Sequence, residues 1–257
     1  MDSAPGGLGD WLADIVTGSK DKLVQEGFDV DSPPGKSNSA DEDDPFVEKR
    51  PTWALAHHPS SQMTLRLDKL TKSPTAVAHT RRPVIPQTPA LESHPGAGMG
   101  RIVQFEQPQP LSMLLDRIGR GLNNPKGFPL AIPQNTNIAD LTIRSVGICA
   151  GSGASLLSNL DVDMLFTGEM SHHEALAAIE KGQVVVNLFH SNSERGFLSE
   201  VLVDQLEIQV TEEWQRLREE EAGIEEFKEA LSDKDFDVIV SEVDRDPYGI
   251  VVLNEEK

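Results

Sequence analysis

Between Val146 and Glu194 three short apolar runs follow one another, and each ends in polar residues that open a helix. Ser145 to Ala150 runs into Gly151-Ser152-Gly153-Ala154-Ser155, and Met164-Leu165-Phe166 into Thr167-Gly168-Glu169-Met170-Ser171-His172-His173-Glu174. Val184 to Phe189 runs into His190-Ser191-Asn192-Ser193-Glu194-Arg195-Gly196. Short apolar runs alternating with helical stretches predict βαβ units and a parallel sheet, hence an α/β fold. In open sheets of this kind ligands sit beyond the carboxyl ends of the strands. All three polar clusters fall at that edge, so one site can draw on them together.

Charge narrows the partners. The chain of 257 residues carries a formal net charge of -19 and a pI of about 4.7, which argues against nucleic acid or an anionic membrane surface. Its single cysteine, Cys149, cannot form an intrachain disulfide, as suits a reducing compartment. No apolar run approaches the roughly 18 residues needed to span a bilayer. Met1 to Gly7 has neither the charged nor the apolar region of a signal peptide. The expectation is a cytoplasmic protein, with nucleus or mitochondrion as alternatives.

Taken in order, Leu8, Trp11, Leu12, Ile15 and Val16 follow helical spacing and predict a short core-facing helix. From residue 31 to 97 the character changes: ten of the 17 prolines lie there, with the acidic run Asp41-Glu42-Asp43-Asp44. Such a stretch buries too little apolar surface to offset its ordering entropy, so a disordered insert is expected. Its His57-His58-Pro59 reads as an incidental exposed pair, and Trp53 to Ala56 as a weak strand candidate. Order resumes with a strand over 102–106, whose alternation sets Ile102 and Gln104 against Val103 and Phe105. Pro110 then opens a helix over 111–122, with Leu114, Leu115 and Ile118 inward. After Glu194 a helix continues through Phe197, Val201, Leu202 and Leu206, and a glutamate-rich, solvated helical stretch follows, about 207–235. Val238-Ile239-Val240 and Ile250 to Leu253 read as closing strands around the turn at Asp244 to Gly249.

Among residues that can carry chemistry, His190 and Glu194 form the sharpest pair. An imidazole at a strand end and a carboxylate four residues on can face one cation, a combination that suits zinc, manganese or iron(II). Ser191 to Glu194 also matches a capping box, which needs no metal. Ser171 to Glu174 is a second capping-box match, and His172 and His173 point about 100° apart on a helix, so one faces the edge. Thr167, Gly168 and Glu169 add a hydroxyl and a carboxylate, or form only a tight turn. Gly151-Ser152-Gly153 is a βα turn or an anion cradle; with Leu156 in place of the third glycine, the dinucleotide fingerprint fails. Cys149 reads as buried and inert.

At Cys149 to Gly153, Thr167 to Glu174 and His190 to Gly196 the sequence resembles the NIF-three-like family, whose members carry the description GTP cyclohydrolase I type 2 homologue. The match covers roughly residues 98–206, and Asp244-Arg245-Asp246-Pro247 fits the family's last segment. The resemblance implies a parallel or mixed sheet flanked by helices, a two-metal site built from both halves of the chain, and a hexameric ring. His190 and Glu194 map onto the C-terminal metal ligands, and Asp2, ahead of Pro5-Gly6-Gly7 and a helix, onto an aspartate ligand. The family's first half, with its strand ending in paired histidines, is expected ahead of Asp2. On this reading 1–30 is the remnant of an N-terminal metal-binding half, 31–97 the insert and 98–257 the C-terminal half, with an N-terminal part and metal site that are incomplete.

Two functions follow from the resemblance. One is a metal-dependent hydrolase acting on a phosphate or purine-type substrate, with divalent metal on Asp2, His190 and Glu194 and with His172, His173 and Glu169 as catalytic groups. The other is a non-catalytic regulatory protein that binds a transcriptional adaptor, its acidic arm and insert serving partners.

Overall fold

The computed structural model describes residues 1–19, 53–56, 62–65, 76–122, 125, 127–221, 223–233, 235–243 and 246–248. Helix α1 (Leu8–Thr17) buries Leu8, Trp11, Leu12, Ile15 and Val16, the residues its spacing selects, and stops at Gly18 in the left-handed region (φ 74°). Strands β1 (Trp53–Ala56) and β2 (Gln62–Leu65) pair with each other and, among the described residues, with no other strand. Then come β3 (His79–Arg82), β4 (Ile85–Pro86), β5 (Gly98–Met99) and β6 (Arg101–Pro110). Helix α2 (Leu111–Gly121) begins directly after Pro110 and turns Leu111, Leu114, Leu115 and Ile118 inward.

The second half supplies β7 (Leu130–Ala131), β8 (Thr142–Ser152), α3 (Ala154–Leu157), β9 (Met164–Glu169), α4 (His172–Glu180) and β10 (Val184–Asn187). Six strands form one mixed sheet in the order β3-β6-β8-β9-β10-β7. Its centre, β8-β9-β10, is parallel, as the apolar runs predict, and antiparallel strands flank it on both sides. Register sorts the side chains. Met164, Phe166, Val184 and Val186 join Val103, Phe105, α1 and α2 on one face, while Leu165, Val185 and Ile102 meet Leu157 of α3 and Ala178 of α4 on the other. The result is an α/β fold with helices on both faces of the sheet.

Three expectations change. Within the stretch expected as a disordered insert, 31–97, the β1–β2 pair carries structure, β3 is the edge strand of the main sheet, and β4 pairs with β5. Composition hides β3 because it is polar throughout; what holds it is Arg81, which reaches Asp10 at 3.2 Å and Asp14 at 2.6 Å on α1. His57-His58-Pro59 lies outside the described residues. Val238-Ile239-Val240 forms no strand: the segment runs irregularly over the surface with Ile239 84% exposed. Ile250 to Leu253 lies outside the described residues. The third run also leaves the sheet early, at Asn187, because Phe189 takes a positive φ of 67°. The acidic stretch is helical as expected. After α5 (Arg195–Phe197) and a wide turn, Leu198–Leu202, helix α6 (Val203–Glu220) buries no side chain, and a short helix α7 (Lys228–Ser232) follows. No helix among the described residues is long and apolar enough to cross a membrane.

One buried cation ties these parts together. Arg101, at the start of β6, is 2% exposed, and all five of its N–H donors are used. Nε and one Nη2 bond grip both oxygens of Asp10 at 2.8 Å, Nη1 donates to the carbonyls of Gly98 and Gly100 at 2.7 Å, and Nη2 also reaches the carbonyl of Ala4 at 3.1 Å. The Gly98 N–H donates to Ser3 O at 2.9 Å, so the segment that carries Asp2 is fixed to the sheet.

Burial alone would push the Asp10 carboxyl up, but the hydrogen bonds and charge of Arg101, with Gly6 N–H and Arg81, hold it below its ordinary value of 3.8. A carboxyl held low contributes stability that is complete above that ordinary value and lost as pH falls through the lower folded one. Urea unfolding should therefore show stability dropping below about pH 4, and Asp10→Asn should flatten that part of the profile. Arg101→Met keeps the apolar stem but strands the buried carboxylate, and should cost about 3–5 kcal/mol at neutral pH. A loss below about 1 kcal/mol would rank the cluster with ordinary surface pairs.

Candidate functional site

The carboxyl ends of β8, β9 and β10 meet at one edge, and the polar residues beyond them converge there. β8 bulges between Cys149 and Ser152, and Gly151 turns into the left-handed region (φ 59°). Its peptide is held from both sides. Thr167 Oγ1 donates to Gly151 O at 3.1 Å, and Gly151 N–H donates to Ser193 Oγ at 2.8 Å, with both side chains fully buried. Ser193 Oγ donates onward to His190 O at 2.7 Å. The neighbouring Leu188 N–H donates to Thr167 O at 3.0 Å and carries the β9–β10 ladder up to the site.

On this base stand the ionisable groups. His190 follows Phe189, a bulky residue in a sparsely populated backbone conformation of the kind that clusters at functional positions. The ring then lies between two carboxylates: Nδ1 is 3.1 Å from Glu169 Oε2, and Nε2 is 3.5 Å from Glu194 Oε1. The first is a hydrogen bond; the second is an ion-pair distance too long for one. The space beside that second gap belongs to Gly151. A Cβ there would sit 2.8 Å from Glu194 Oε1 and 3.0 Å from His190 Nε2.

The capping box expected at Ser191 to Glu194 does not form. Ser191 lies inside a short 3-10 turn (Ser191–Ser193), its N–H donates to Asp246 Oδ2 at 3.0 Å, and Glu194 is left to face His190. The capping box at Ser171 and Glu174 is present in both directions, which accounts for Glu174. His172 and His173 open α4 in solvent with their rings edge to face at 5.4 Å; among the described residues neither hydrogen-bonds to the His190 cluster. Asp2 is exposed, yet close enough that its charge acts on both Glu194 and Cys149. Helix α3 has only four residues, and Gly151 serves the His190–Glu194 gap, so an anion cradle finds no support here.

Electrostatics give the edge its character. The Glu169 hydrogen bond holds the His190 imidazole above its ordinary range against a small burial penalty, with Glu194 and Asp246 adding to it. Burial raises Glu194, and the charges of Asp2 and Glu169 raise it further, outweighing the opposing pull of His190. One imidazole thus sits among more negative charge than it offsets. Cys149 is pushed up to about 11, first by burial and then by Asp2 and Glu194, so its thiol stays protonated and unreactive near neutral pH.

Comparison with known proteins places this arrangement. The sequence profile of Duf34/NIF3 (NGG1p interacting factor 3) matches residues 1–217. The chain belongs to the DUF34/NIF3 family. NIF3-like protein 1 of Drosophila melanogaster is 43% identical over 115 residues, 45% of this chain and 38% of that protein. NGG1-interacting factor 3 of Saccharomyces cerevisiae is 35% identical over 157 residues, 60% of this chain and 45% of that protein. The chain therefore covers less than half the length of these DUF34/NIF3 relatives. Among solved structures, Staphylococcus aureus protein SA1388 is similar with a TM-score of 0.40 and 18% identity, over 62% of this chain and 44% of that one.

The strand pattern puts His190, Glu194 and Glu169 at one edge, and the family resemblance adds Asp2, but neither shows the parts that hold them. The sequence shows Ser193 only as an inner position of a capping-box match and Gly151 as part of a βα turn or an anion cradle; the one available signal is a run of small residues directly after an apolar strand. Gly151→Ala tests their role. With a positive φ and a Cβ driven into the gap, it should destabilise by more than about 1 kcal/mol and shift the His190 ring resonances in NMR spectra. Unchanged ring signals would show that the glycine is dispensable.

Proposed function

We propose that this chain is a divalent-metal-binding protein and acts as a metal-dependent hydrolase on a phosphate or purine-type substrate. The observation that carries this reading is the pair His190 and Glu194, facing each other beside a glycine at the carboxyl edge of three parallel strands. The donor set fits a cation. An imidazole nitrogen and a carboxylate oxygen suit zinc, manganese or iron(II), the Gly151 hydrogen leaves room between them, and the surplus negative charge at Glu194 is what a cation offsets. Among the described residues no three His, Cys, Asp or Glu side chains are already arranged to hold a metal ion together, so a third donor has to come in, and Asp2 is the nearby candidate.

When bound, such a cation supplies Lewis-acid polarisation and makes water acidic enough to attack near neutral pH. The chain's own groups bind and orient. His190 and Glu194 would hold the cation, the Thr167–Gly151–Ser193 clamp fixes their backbone, and exposed His172 or His173 would serve as proton carrier. A protein-binding role is a second reading, favoured by α6, an 18-residue helix without a buried side chain, and by the name of the yeast relative, NGG1-interacting factor 3.

Metal analysis separates the two. Purified wild-type chain, dialysed against zinc or manganese, should retain metal, and His190→Ala and Glu194→Ala should each lose most of it while keeping the wild-type unfolding midpoint within a few degrees. Equal metal content in all three proteins would remove the metal reading and leave the binding role.

A further inference from the structure

We infer that Glu169 is a positioning residue: it accepts a hydrogen bond from the Nδ1–H of His190 and thereby fixes the tautomer in which Nε2 carries the free electron pair toward Glu194 and Gly151. The inference rests on the metal reading above and deepens it, assigning to Glu169 a role exercised through His190.

A neutral imidazole carries one N–H and one acceptor nitrogen, and an ionised carboxylate only accepts. Across the 3.1 Å contact of Nδ1 with Glu169 Oε2, the two heavy atoms share a proton if Nδ1 is the N–H. The opposite tautomer would set a nitrogen lone pair against a carboxylate lone pair at that distance. On the far side, among the described residues, Nε2 has no partner at hydrogen-bond range, since Glu194 Oε1 stands at 3.5 Å, so none of them holds a proton there as firmly. A carboxylate behind the metal-facing nitrogen fixes the ring's orientation and raises its basicity.

The backbone makes this contact rigid. Asn187 lies opposite Thr167 in the parallel ladder, and Leu188 N–H donates to Thr167 O, so the segments carrying Glu169 and His190 leave neighbouring strands side by side. Phe189, at φ 67°, then turns the chain so that the His190 ring comes back over the end of β9. Glu169 and His190 are each 47% exposed, so replacing the carboxylate leaves the core untouched.

The test uses the 15N-labelled full chain without metal at about pH 9, above the ordinary range of an imidazole. Long-range 1H–15N correlation spectra report which nitrogen of His190 carries the proton, with His190→Asn assigning the signals. Wild type should show protonated Nδ1. Glu169→Ala should move the population toward protonated Nε2, and Glu169→Gln, whose amide oxygen still accepts, should keep it on Nδ1. Calorimetric titration with Zn2+ should then show binding weakened about 10–100-fold in Glu169→Ala and less in Glu169→Gln. A wild-type ring protonated at Nε2, or a tautomer indifferent to Glu169→Ala, overturns the assignment whatever the zinc result. A tautomer that moves as expected in a chain that binds no Zn2+ supports the positioning role and removes the metal reading instead.

Discussion

The fold depends on keeping one arginine dry and fully bonded. Burying a guanidinium costs several kcal/mol unless every donor finds an acceptor, and Arg101 meets that condition by drawing on α1, the N-terminal segment and the β5–β6 turn together. The acceptors come from three separate parts of the chain, so the pieces are locked in one relative position. Asp10 extends the lock to the edge strand β3 through Arg81. The same lock reaches the candidate site, because Ala4 and Ser3, which it holds, stand next to Asp2 in the chain. A charge cluster in the core thus decides where a carboxylate on the surface can lie.

At the sheet edge the division of labour is different. The groups that fix the backbone, Thr167 and Ser193, are fully buried, whereas the groups capable of chemistry are more than a third exposed. Burial protects the clamp from competition by water, and exposure keeps the imidazole and carboxylates available to a ligand. Glycine at position 151 is what lets the two layers touch: a β8 strand with a side chain there would hold His190 and Glu194 apart. Burial first, and then the charges of Asp2 and Glu169, hold the Glu194 carboxyl above its ordinary range, and the pull of His190 opposes them only in part.

How much of this the sequence displays follows from the kind of signal each part leaves. The β8, β9 and β10 strands are apolar on both faces, so they appear as continuous runs, and their parallel order follows from the helices between them. Helices α1 and α2 show because their apolar residues recur at helical spacing. Strand β3 does not show, since an edge strand of His, Thr and Arg is held by ion pairs to a helix some seventy residues earlier. Val238 to Val240 misleads for the opposite reason: a short apolar run becomes a strand only where a partner edge is open to it, and local composition says nothing of partners.

The site follows the same rule. Spacing placed His190 and Glu194 together because four residues close one helical turn, and strand order brought Glu169 beside them. Spacing could not tell a capping box from a ligand pair, since Glu194 stands three residues after Ser191 and four after His190. The structure separates the two matches by what lies nearby. Ser171 has no competing partner and caps α4, whereas Ser191 gives its N–H to Asp246, a residue from the far end of the chain, and so Glu194 is left free to face the imidazole. A contact from that distant segment therefore decides whether a local motif is punctuation or chemistry, and that information is absent from any window of sequence around Glu194.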